Sequence, residues 1–396
     1  MQQEDGSSPG RTVMRVLYVI NGGGSTSVPH ELAYHLGDDR CRVKVVSYYG
    51  NVDSQWETED EEDLAAGSPL DARAISRLVA LLRSYEPDLV HVHHTVSSLL
   101  TVLATKVVAS APVVRTFHNN RRHKSVIQKA ADAISLPGLD ALVCNSAATL
   151  RSLSRLEGAL APERRFVVHN GVDVALIEEA ISSTSIADVR TEFGLPREGD
   201  LAVSVGSLTP QKNHETAIRS LETVAEEVHL AIMGDGPDGQ RLRSLSEEIG
   251  VSDRVHFLGR VSRATVYQLH AAADLFLLCS RWEGFCNAAV EAVISGLPVV
   301  VSDIDTLREV LGSWALYVDI EGANASREVA ARMTAVLGEA GSPRFEERLQ
   351  RYSREAVRTY GMRKATDGYR SVYRELVNQS ENREEDPRRA VGGRNG

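Results

Sequence analysis

Residues 279–298 read CSRWEGFCNAAVEAVISGLP, and this stretch carries the strongest fold signal in the chain. The apolar run that ends at Ser280 is typical of a buried strand, and Glu283-Gly284 indicates a turn. The Ala- and Val-rich segment that begins near Phe285 has the composition of a buried helix. A strand, a tight turn and a helix in this order predict one unit of a parallel α/β sheet.

The same alternation continues on both sides of this stretch and falls into two sets. We predict strands near 13–20, 88–94, 113–118, 141–146 and 165–171 in the first set, and near 201–208, 228–234, 254–259, 274–280 and 297–303 in the second. The pattern weakens between 172 and 199. The chain is therefore predicted to form two doubly wound, Rossmann-like α/β domains, whose ligand-binding strand ends face each other across a cleft.

These patterns set the predicted domain boundaries. We expect a flexible lead-in at 1–11, an N-terminal domain at 12–173, a hinge at 174–199, a C-terminal domain at 200–355, a C-terminal helix at 356–378 that crosses back to the N-terminal domain, and a disordered tail at 379–396. The acidic run 57–63 is predicted to be a solvated loop.

The overall composition narrows the classes of partner. With 396 residues, 42% of them hydrophobic and 25% charged, the chain has the composition of a folded globular protein. Its net charge of −10 argues against nucleic acid and anionic lipid as main partners. The four cysteines lack metal-binding or disulfide spacing. No signal peptide or membrane-spanning run is evident, so a cytoplasmic protein with a small-molecule ligand is expected.

The spacing of Glu283 and Glu291 can be compared with the spacing of the two catalytic carboxylates of a glycoside hydrolase. A hydrolytic carboxylate pair lies about 5 to 9.5 Å apart, whereas eight residues of helix rise about 12 Å. The pair is better suited to gripping two parts of one elongated ligand, with the helix N-terminus facing an anion between them. Two exposed helix-face glutamates are the simpler alternative, but the apolar neighbours of Glu291 would make an unpaired carboxylate costly there.

Two further motifs match other ligand sites only in part. Residues 234–239, GDGPDG, fit the GxGxxG fingerprint of dinucleotide binding, but Arg260 follows the next strand where that fingerprint requires an acidic residue. Asp303 and Asp305 resemble a two-aspartate metal clamp. They follow the last strand of the set, where a solvated turn is the better interpretation.

Histidines lie on two successive predicted strands, 88–94 and 113–118. His91 and His93 share one face of their strand, and His94 follows them. Without nearby cysteines or acidic partners, structural or acceptor-side histidines are favoured over a zinc site. His118 ends the next strand, and on sequence alone it is either a buried, hydrogen-bonded residue or a catalytic one.

The only dense basic patch comes directly after His118. It consists of Arg121, Arg122, His123 and Lys124, with Lys129 further on. It is either a solvated loop or a loop that guides an anionic acceptor or contacts phospholipid head groups.

The segment SRWEGFCNAAVEA resembles the retaining GT-B glycosyltransferases of the family 4 type, glycosyl transferases group 1. The resemblance includes NGGG (21–24), His118, HNGVD (169–173), VGSLTPQKN (205–213), MGDGP (233–237), FLGRV (257–261), SRWEGFCNAAVEA (280–292) and SGLPVV (295–300). It implies the GT-B fold, with two doubly wound Rossmann-like domains facing across a cleft. The acceptor would bind the N-terminal domain and the nucleotide sugar the C-terminal domain.

The resemblance also implies roles for single residues. Lys212 would bind the donor diphosphate, Glu283 the hydroxyls of the donor sugar and Glu291 those of the ribose. The implied catalytic residues are His118, Lys212 and Glu283; the donor-binding residues are Gly23, Gly24, Ser207, Gly234, Gly236, Arg260, Phe285, Cys286, Asn287 and Glu291; the acceptor-side candidates are Arg121, Arg122 and Lys124. No metal or other cofactor is expected, because a cation and N–H donors would stabilise the leaving diphosphate.

The implied reaction is transfer of a hexose or N-acetylhexosamine, with retention, from a nucleotide sugar to a hydroxyl of a small-molecule, glycan or lipid-linked acceptor. A UDP-sugar is the first expectation for the donor. Ser207 stands where the family usually has Arg, and it lacks the charge and bidentate fork of Arg; Arg260 or Arg281 would have to compensate.

Two alternatives stay open, a GT-B sugar-nucleotide epimerase and a non-catalytic nucleotide-sugar-binding protein. Among partners we expect no nucleic acid and at most peripheral membrane contact, and a homo-oligomer is left open.

Overall fold

The computed structural model describes residues 13–22, 27–50, 58, 60–121, 124–183 and 185–384, without the side chains of Val96 and 380–384. The expectations for the lead-in 1–11, for Gly23, Gly24 and Arg122, and for 385–396 lie outside the described residues.

The chain forms two compact units. The first comprises the described residues through Cys144, Leu153–Val168 and the described residues from Thr366, and the second comprises Asn145–Ser152 and His169–Ala365. The second unit therefore includes residues 145–152 and 169–173, two segments that we predicted to belong to the N-terminal domain.

Each unit is built on one parallel sheet. The strands are β1 Met14–Ile20, β2 Cys41–Ser47, β3 Glu61–Asp63, β4 Leu89–Val92, β5 Val113–Phe117, β6 Ala141–Cys144, β7 Arg165–Val167, β8 Leu201–Val205, β9 His229–Met233, β10 Val255–Gly259, β11 Leu275–Leu278, β12 Val299–Ser302 and β13 Ala315–Val318. The first sheet has the order β3-β2-β1-β4-β5-β6-β7, and the second β10-β9-β8-β11-β12-β13. The predicted α/β class with two parallel sheets is confirmed.

Helices connect the strands of both sheets. They are α1 Val28–Leu36, α2 Ala72–Tyr85, α3 Thr95–Val108, α4 Val126–Ser135, α5 Ala147–Arg151, α6 Arg155–Leu160, α7 Val174–Ser182, α8 Ile186–Glu192, α9 His214–Ser220, α10 Gly239–Glu248, α11 Arg263–Ala271, α12 Asn287–Ile294, α13 Asp305–Leu311, α14 Ala325–Glu339, α15 Pro343–Tyr360 and α16 Met362–Glu384. None of the described helices is long and apolar enough to cross a membrane.

Strand β11 shows why the apolar runs form buried strands. Phe276 and Leu278 pack into the core on one face of the second sheet, and Leu275 and Leu277 into the core on the other. Because a parallel sheet is covered on both faces, successive residues of a central strand are all apolar.

Two regions differ from the sequence-based expectation. Residues 61–63 of the acidic run are not loop but strand β3, paired in parallel with β2 at the sheet edge. Helix α16 continues to Glu384, into the segment 379–396 that we predicted to be a disordered tail. Glu, Gln and Arg are good helix formers, so a polar segment extends a helix that packing has already nucleated.

Candidate functional site

The loops that follow β8, β9 and β10 are joined to one another by backbone hydrogen bonds. Gly206 N–H donates to Met233 O at 2.9 Å, and Gly234 N–H donates to Gly259 O at 2.7 Å. Leu208 N–H donates to Asp235 O, in the loop after β9, at 3.1 Å. The carboxyl ends of three neighbouring strands thus form one continuous backbone surface, the usual ligand position in an open α/β sheet.

Two glycines of the β9 loop are required by this close approach. A Cβ on Gly234 would lie 2.0 Å from Gly206 O, and a Cβ on Gly236 would lie 2.5 Å from Leu208 O. No side chain fits at either position. The GxG pattern therefore has a packing function here.

Lys212 lies on the neighbouring loop and pairs with Glu283. Its ammonium donates to Glu283 Oε1 at 2.7 Å, with side-chain exposures of 17% for the lysine and 6% for the glutamate. The lysine stem packs against Gly206, where a Cβ would lie 3.0 Å from its Cδ and Cε. Burial alone would lower the pKa of Lys212, but the Glu283 charge, with Cys286 next, reverses this and raises it. Lys212 is therefore a fixed, charged ammonium.

Backbone contacts hold the turn that carries Glu283. Arg281 N–H donates to Gln211 O at 2.8 Å, and the Gln211 side chain donates to Trp282 O at 2.9 Å. The Thr306 hydroxyl donates to Glu283 O at 3.0 Å. The lysine loop and the glutamate turn are thus fixed relative to each other, which keeps the ion pair in register.

Helix α12 begins at Asn287, two positions after the start we predicted at Phe285. Cys286 occupies the left-handed region at φ 75° and provides no capping side chain, so the first N–H groups of the helix are not capped by it. Asn287 Oδ1 accepts a hydrogen bond from Asn170 at 2.8 Å. Asn287 Nδ2 is buried and has no hydrogen-bond partner among the described residues. A helix N-terminus and an unpartnered donor thus meet at one point, which suits an anionic or hydroxyl-bearing ligand.

Glu291 is not the unpaired carboxylate that its apolar neighbours suggested. Its Oε1 accepts from the Arg263 guanidinium at 2.7 Å and from the Tyr267 hydroxyl at 3.2 Å. Oε2 accepts no hydrogen bond from the described part of the chain. Arg263 was missed by the sequence analysis, because it lies 28 residues away on α11 and carries no motif of its own.

The structure also locates the residues considered as substitutes for the family arginine. Ser207 and Arg260 are exposed, and Arg260 makes no ion pair or hydrogen bond within the described ranges. Arg281 points one guanidinium nitrogen toward Asn213 Oδ1 at 3.3 Å. Neither arginine is fixed as Lys212 is.

In the first unit, His118 pairs with a second histidine. Its Nε2 lies 2.8 Å from His93 Nδ1. Burial lowers the pKa of His118 to about 3, with contributions from His94, Lys124 and Arg115. His91 bonds instead to Tyr373 and Thr116. No group of three or more His, Cys, Asp or Glu side chains within the described ranges is arranged to hold a metal ion.

The expectation of an exposed basic patch is wrong for Arg121. The Arg121 side chain is 1% exposed and pairs with Asp132 and Glu157. Lys124, with 20% of its side chain exposed, donates to Asp132 at 3.0 Å. The fully buried Arg115 pairs with the same carboxylate. The charges of Arg121 and Lys124 are therefore paired within the first unit, because buried cations require acidic partners.

Comparisons with known proteins agree with this architecture. The Glycosyltransferase Family 4 model matches residues 22–176, and the Glycosyl transferases group 1 model matches residues 185–355. D-inositol 3-phosphate glycosyltransferase of Thermomonospora curvata is 29% identical over 72% of this chain and 71% of its own length. The same-named protein of Mycolicibacterium smegmatis is 30% identical over 65% of this chain and 64% of its own length.

Solved structures share the fold at low identity. Anabaena HepE in complex with UDP and glucose has a TM-score of 0.75 and 19% identity, covering 92% of this chain and all (100%) of that chain. Sucrose-phosphate synthase from Thermosynechococcus elongatus has a TM-score of 0.73 and 17% identity over the same shares, 92% and 100%. Family models over both halves, relatives over most of the length and a shared fold lead to one conclusion: the chain belongs to the GT-B glycosyltransferases of family 4, glycosyl transferases group 1, and is an enzyme.

Proposed function

We propose that this glycosyltransferase uses a nucleotide sugar as its donor and transfers the sugar to an acceptor hydroxyl with retention of configuration. A UDP-sugar is the first candidate for the donor. The observation that carries the proposal is the buried ion pair in which Lys212 Nζ lies 2.7 Å from Glu283 Oε1. The pair lies at the carboxyl ends of the strands of the second sheet, where α12 also begins. A leaving diphosphate gains negative charge as its bond to the sugar breaks, and a fixed ammonium with N–H donors lowers the barrier to that step.

The Lys212–Glu283 ion pair leaves hydrogen-bonding atoms available to both the diphosphate and the sugar of the donor. Lys212 has three ammonium protons and uses one on Glu283, so the others are available to a phosphate oxygen. Glu283 Oε1 accepts that hydrogen bond, and its Oε2 accepts no hydrogen bond from the described residues, which leaves Oε2 for a sugar hydroxyl. The buried Asn287 Nδ2 would donate to the same ligand.

The nucleoside end would lie at Glu291. Arg263 and Tyr267 fix its Oε1, which leaves Oε2 to accept from ribose hydroxyls. The structural relative HepE has been solved in complex with UDP and with UDP-glucose, which supports uracil as the first choice of base.

We propose an anionic acceptor, of the phosphorylated polyol class, for the first unit. The named relatives act on D-inositol 3-phosphate. In the first unit, the cluster of Arg115, Arg121 and Lys124 faces two carboxylates, Asp132 and Glu157, so it keeps one positive charge in excess. Lys124 is the member with the most exposed side chain of the three, and it is the proposed contact to the acceptor phosphate.

Retention would follow from attack on the same face as the departing group. The acceptor oxygen forms its bond to the anomeric carbon while the bond from that carbon to the diphosphate oxygen breaks. The acceptor proton passes to the leaving phosphate oxygen, so no protein nucleophile and no protein base are needed. Lys212 supplies the positive charge, and we therefore propose that the reaction requires no metal.

The test compares Lys212→Ala with Lys106→Ala, which removes a surface lysine paired with Asp140. With UDP-sugar and inositol phosphate, Lys212→Ala should lower kcat/KM by about 100-fold or more, while Lys106→Ala should leave it unchanged. NMR of the product should show the donor's anomeric configuration, and EDTA should not change the rate. Near wild-type turnover by Lys212→Ala, or conversion of the nucleotide sugar without acceptor, would contradict the proposal.

A further inference from the structure

Side chains from outside the turn hold the backbone of residues 280–284, which lies between β11 and α12. Four carbonyl oxygens of this turn accept a hydrogen bond from such a side chain. The pairs are Ser302 Oγ with Ser280 O at 2.5 Å, Gln211 Nε2 with Trp282 O at 2.9 Å, Thr306 Oγ1 with Glu283 O at 3.0 Å and Ser146 Oγ with Gly284 O at 2.7 Å. All of these residues belong to the second unit. The turn 280–284 is therefore fixed through its carbonyl groups.

Helix α13 holds the turn 280–284 at two points. Thr306, near the start of the helix, donates to the turn directly. Glu309 lies one helical turn further along, and its two carboxylate oxygens accept the N–H groups of Ala147 and Ala148 at 2.6 Å and 2.7 Å. These N–H groups begin α5, directly after the fully buried Ser146. Glu309 therefore fixes the segment that carries Ser146, and Ser146 provides the second point.

A held carbonyl also sets the direction of the N–H in the same peptide group. The peptide is planar, and in its trans form the C=O and the N–H point to opposite sides. The carbonyl of Glu283 therefore orients the N–H of Gly284, and the carbonyl of Gly284 orients the N–H of Phe285. Neither N–H donates to an acceptor within the described ranges, although both residues are buried. Buried backbone N–H groups without a partner are rare, so these two indicate a ligand.

The polar groups beside these two N–H groups suit an anion. The Lys212 ammonium donates to Glu283 Oε1 at 2.7 Å and keeps its other protons for a ligand. The amide nitrogen of Asn287 is buried and has no partner in the described part of the chain. Backbone N–H groups, an amide and an ammonium together are suited to phosphate oxygens, because hydrogen bonds to an ionised acceptor are the strong ones.

We propose that Thr306 and Ser146 are positioning residues for the reaction. By holding two carbonyl oxygens of the turn, they direct the N–H groups of Gly284 and Phe285 toward the diphosphate of the donor. This inference rests on the proposed function, in which negative charge grows on that diphosphate as its bond to the sugar breaks. N–H donors that are already oriented stabilise the charge without reorganising in the transition state.

Two substitutions of Thr306 separate positioning from packing, and UDP and uridine are the ligands to compare. Thr306→Val keeps the shape of the side chain and removes the hydroxyl, whereas Thr306→Ser keeps the hydroxyl and removes a methyl group. We expect Thr306→Val to weaken UDP binding by about 10-fold and to leave uridine binding unchanged, since uridine carries no phosphate. Thr306→Ser should bind both ligands as the wild type does. Equal losses in the two variants, or equal weakening of UDP and uridine, would overturn the proposal.

Ser146→Ala tests the second point in the same way. It should also weaken UDP relative to uridine, and both Ser146→Ala and Thr306→Val should lower kcat with a saturating UDP-sugar by about 10-fold or more. Thr334→Val is the matched control, because the Thr334 hydroxyl donates to Ala330 O within α14 at 2.9 Å, and it should change neither quantity. Wild-type UDP affinity in both Ser146→Ala and Thr306→Val would overturn the proposal. If the wild-type enzyme bound UDP no more tightly than uridine, the diphosphate site of the proposed function would itself be contradicted.

Discussion

Glu291 shows how one partner changes the meaning of a residue. The sequence places it among apolar side chains, where an unpaired carboxylate would be costly, and the structure supplies Arg263 as its partner at 2.7 Å. The pair is buried, with side-chain exposures of 8% and 9%. Removing one member of such a pair leaves an uncompensated charge in a dry environment, which is far more costly than removing both.

Arg263→Gln and Glu291→Gln should therefore each lower the free energy of unfolding by about 3 kcal/mol, and the double variant should lose less than the sum of the two. Urea unfolding of all four proteins measures this coupling. Arg308→Gln is the matched control, because Arg308 pairs with Asp303 at the surface, and it should change stability little. Strictly additive losses would show that the buried pair is not coupled.

The residues of the site divide by whether they stand in a recognisable sequence motif. Lys212 and Glu283 could be predicted, because each stands in a recognisable motif, and the structure brings them within hydrogen-bonding distance. The pairing of Arg263 with Glu291 and of Arg121 with Asp132 could not, because a single arginine on a helix or loop looks the same whether it is solvated or buried. Only the folded chain determines which charges meet.

At the scale of elements, most interior strands were predicted from their apolar runs, whereas the interior strand β2 and the edge strands β3 and β13 were not predicted. Continuous apolar runs such as β11 mark strands that are covered on both faces. Strand β3 is short and acidic, and β13 is only partly buried, so neither carries that signal. Both lie at sheet edges, where short and charged strands are common because they discourage pairing with other chains.

The close approach of the loops that follow β8 and β9 can be tested by glycine-to-alanine substitutions. Gly234→Ala and Gly236→Ala would place a methyl group 2.0 Å and 2.5 Å from backbone carbonyl oxygens, so the loops would have to separate. Gly239→Ala is the control, because its methyl would lie 3.3 Å from Cδ1 of the Leu208 side chain and not against backbone. We expect the first two variants to lose melting temperature and UDP-sugar affinity together and the control to retain both. Retention of affinity by Gly234→Ala would contradict the close-packed arrangement.

At the scale of the whole molecule, neutral buried histidines couple stability to pH. Burial lowers the pKa of His94 and His214 to about 4, and of His118 and His270 to about 3. His91 and His93 are likewise lowered, so both units contain such groups. The unfolded chain binds protons on these rings below pH about 6.5, whereas the folded chain does not until pH 3–4. Their contribution to stability is therefore complete above pH 6.5 and declines as the pH falls.

Each such histidine adds about 1.4 kcal/mol per pH unit to the slope of unfolding free energy between pH 6 and pH 5. Calorimetry in buffers of different ionisation enthalpy should show proton uptake on unfolding at pH 5.5, and His270→Gln should reduce that uptake by about one proton. Phe276→Leu alters the packing against the same ring, whose centroid lies 5.7 Å away, without removing a titratable group, and should leave the uptake unchanged. If His270→Gln left the uptake unchanged as well, His270 would have to be protonated in the folded enzyme, which its complete burial against apolar neighbours opposes.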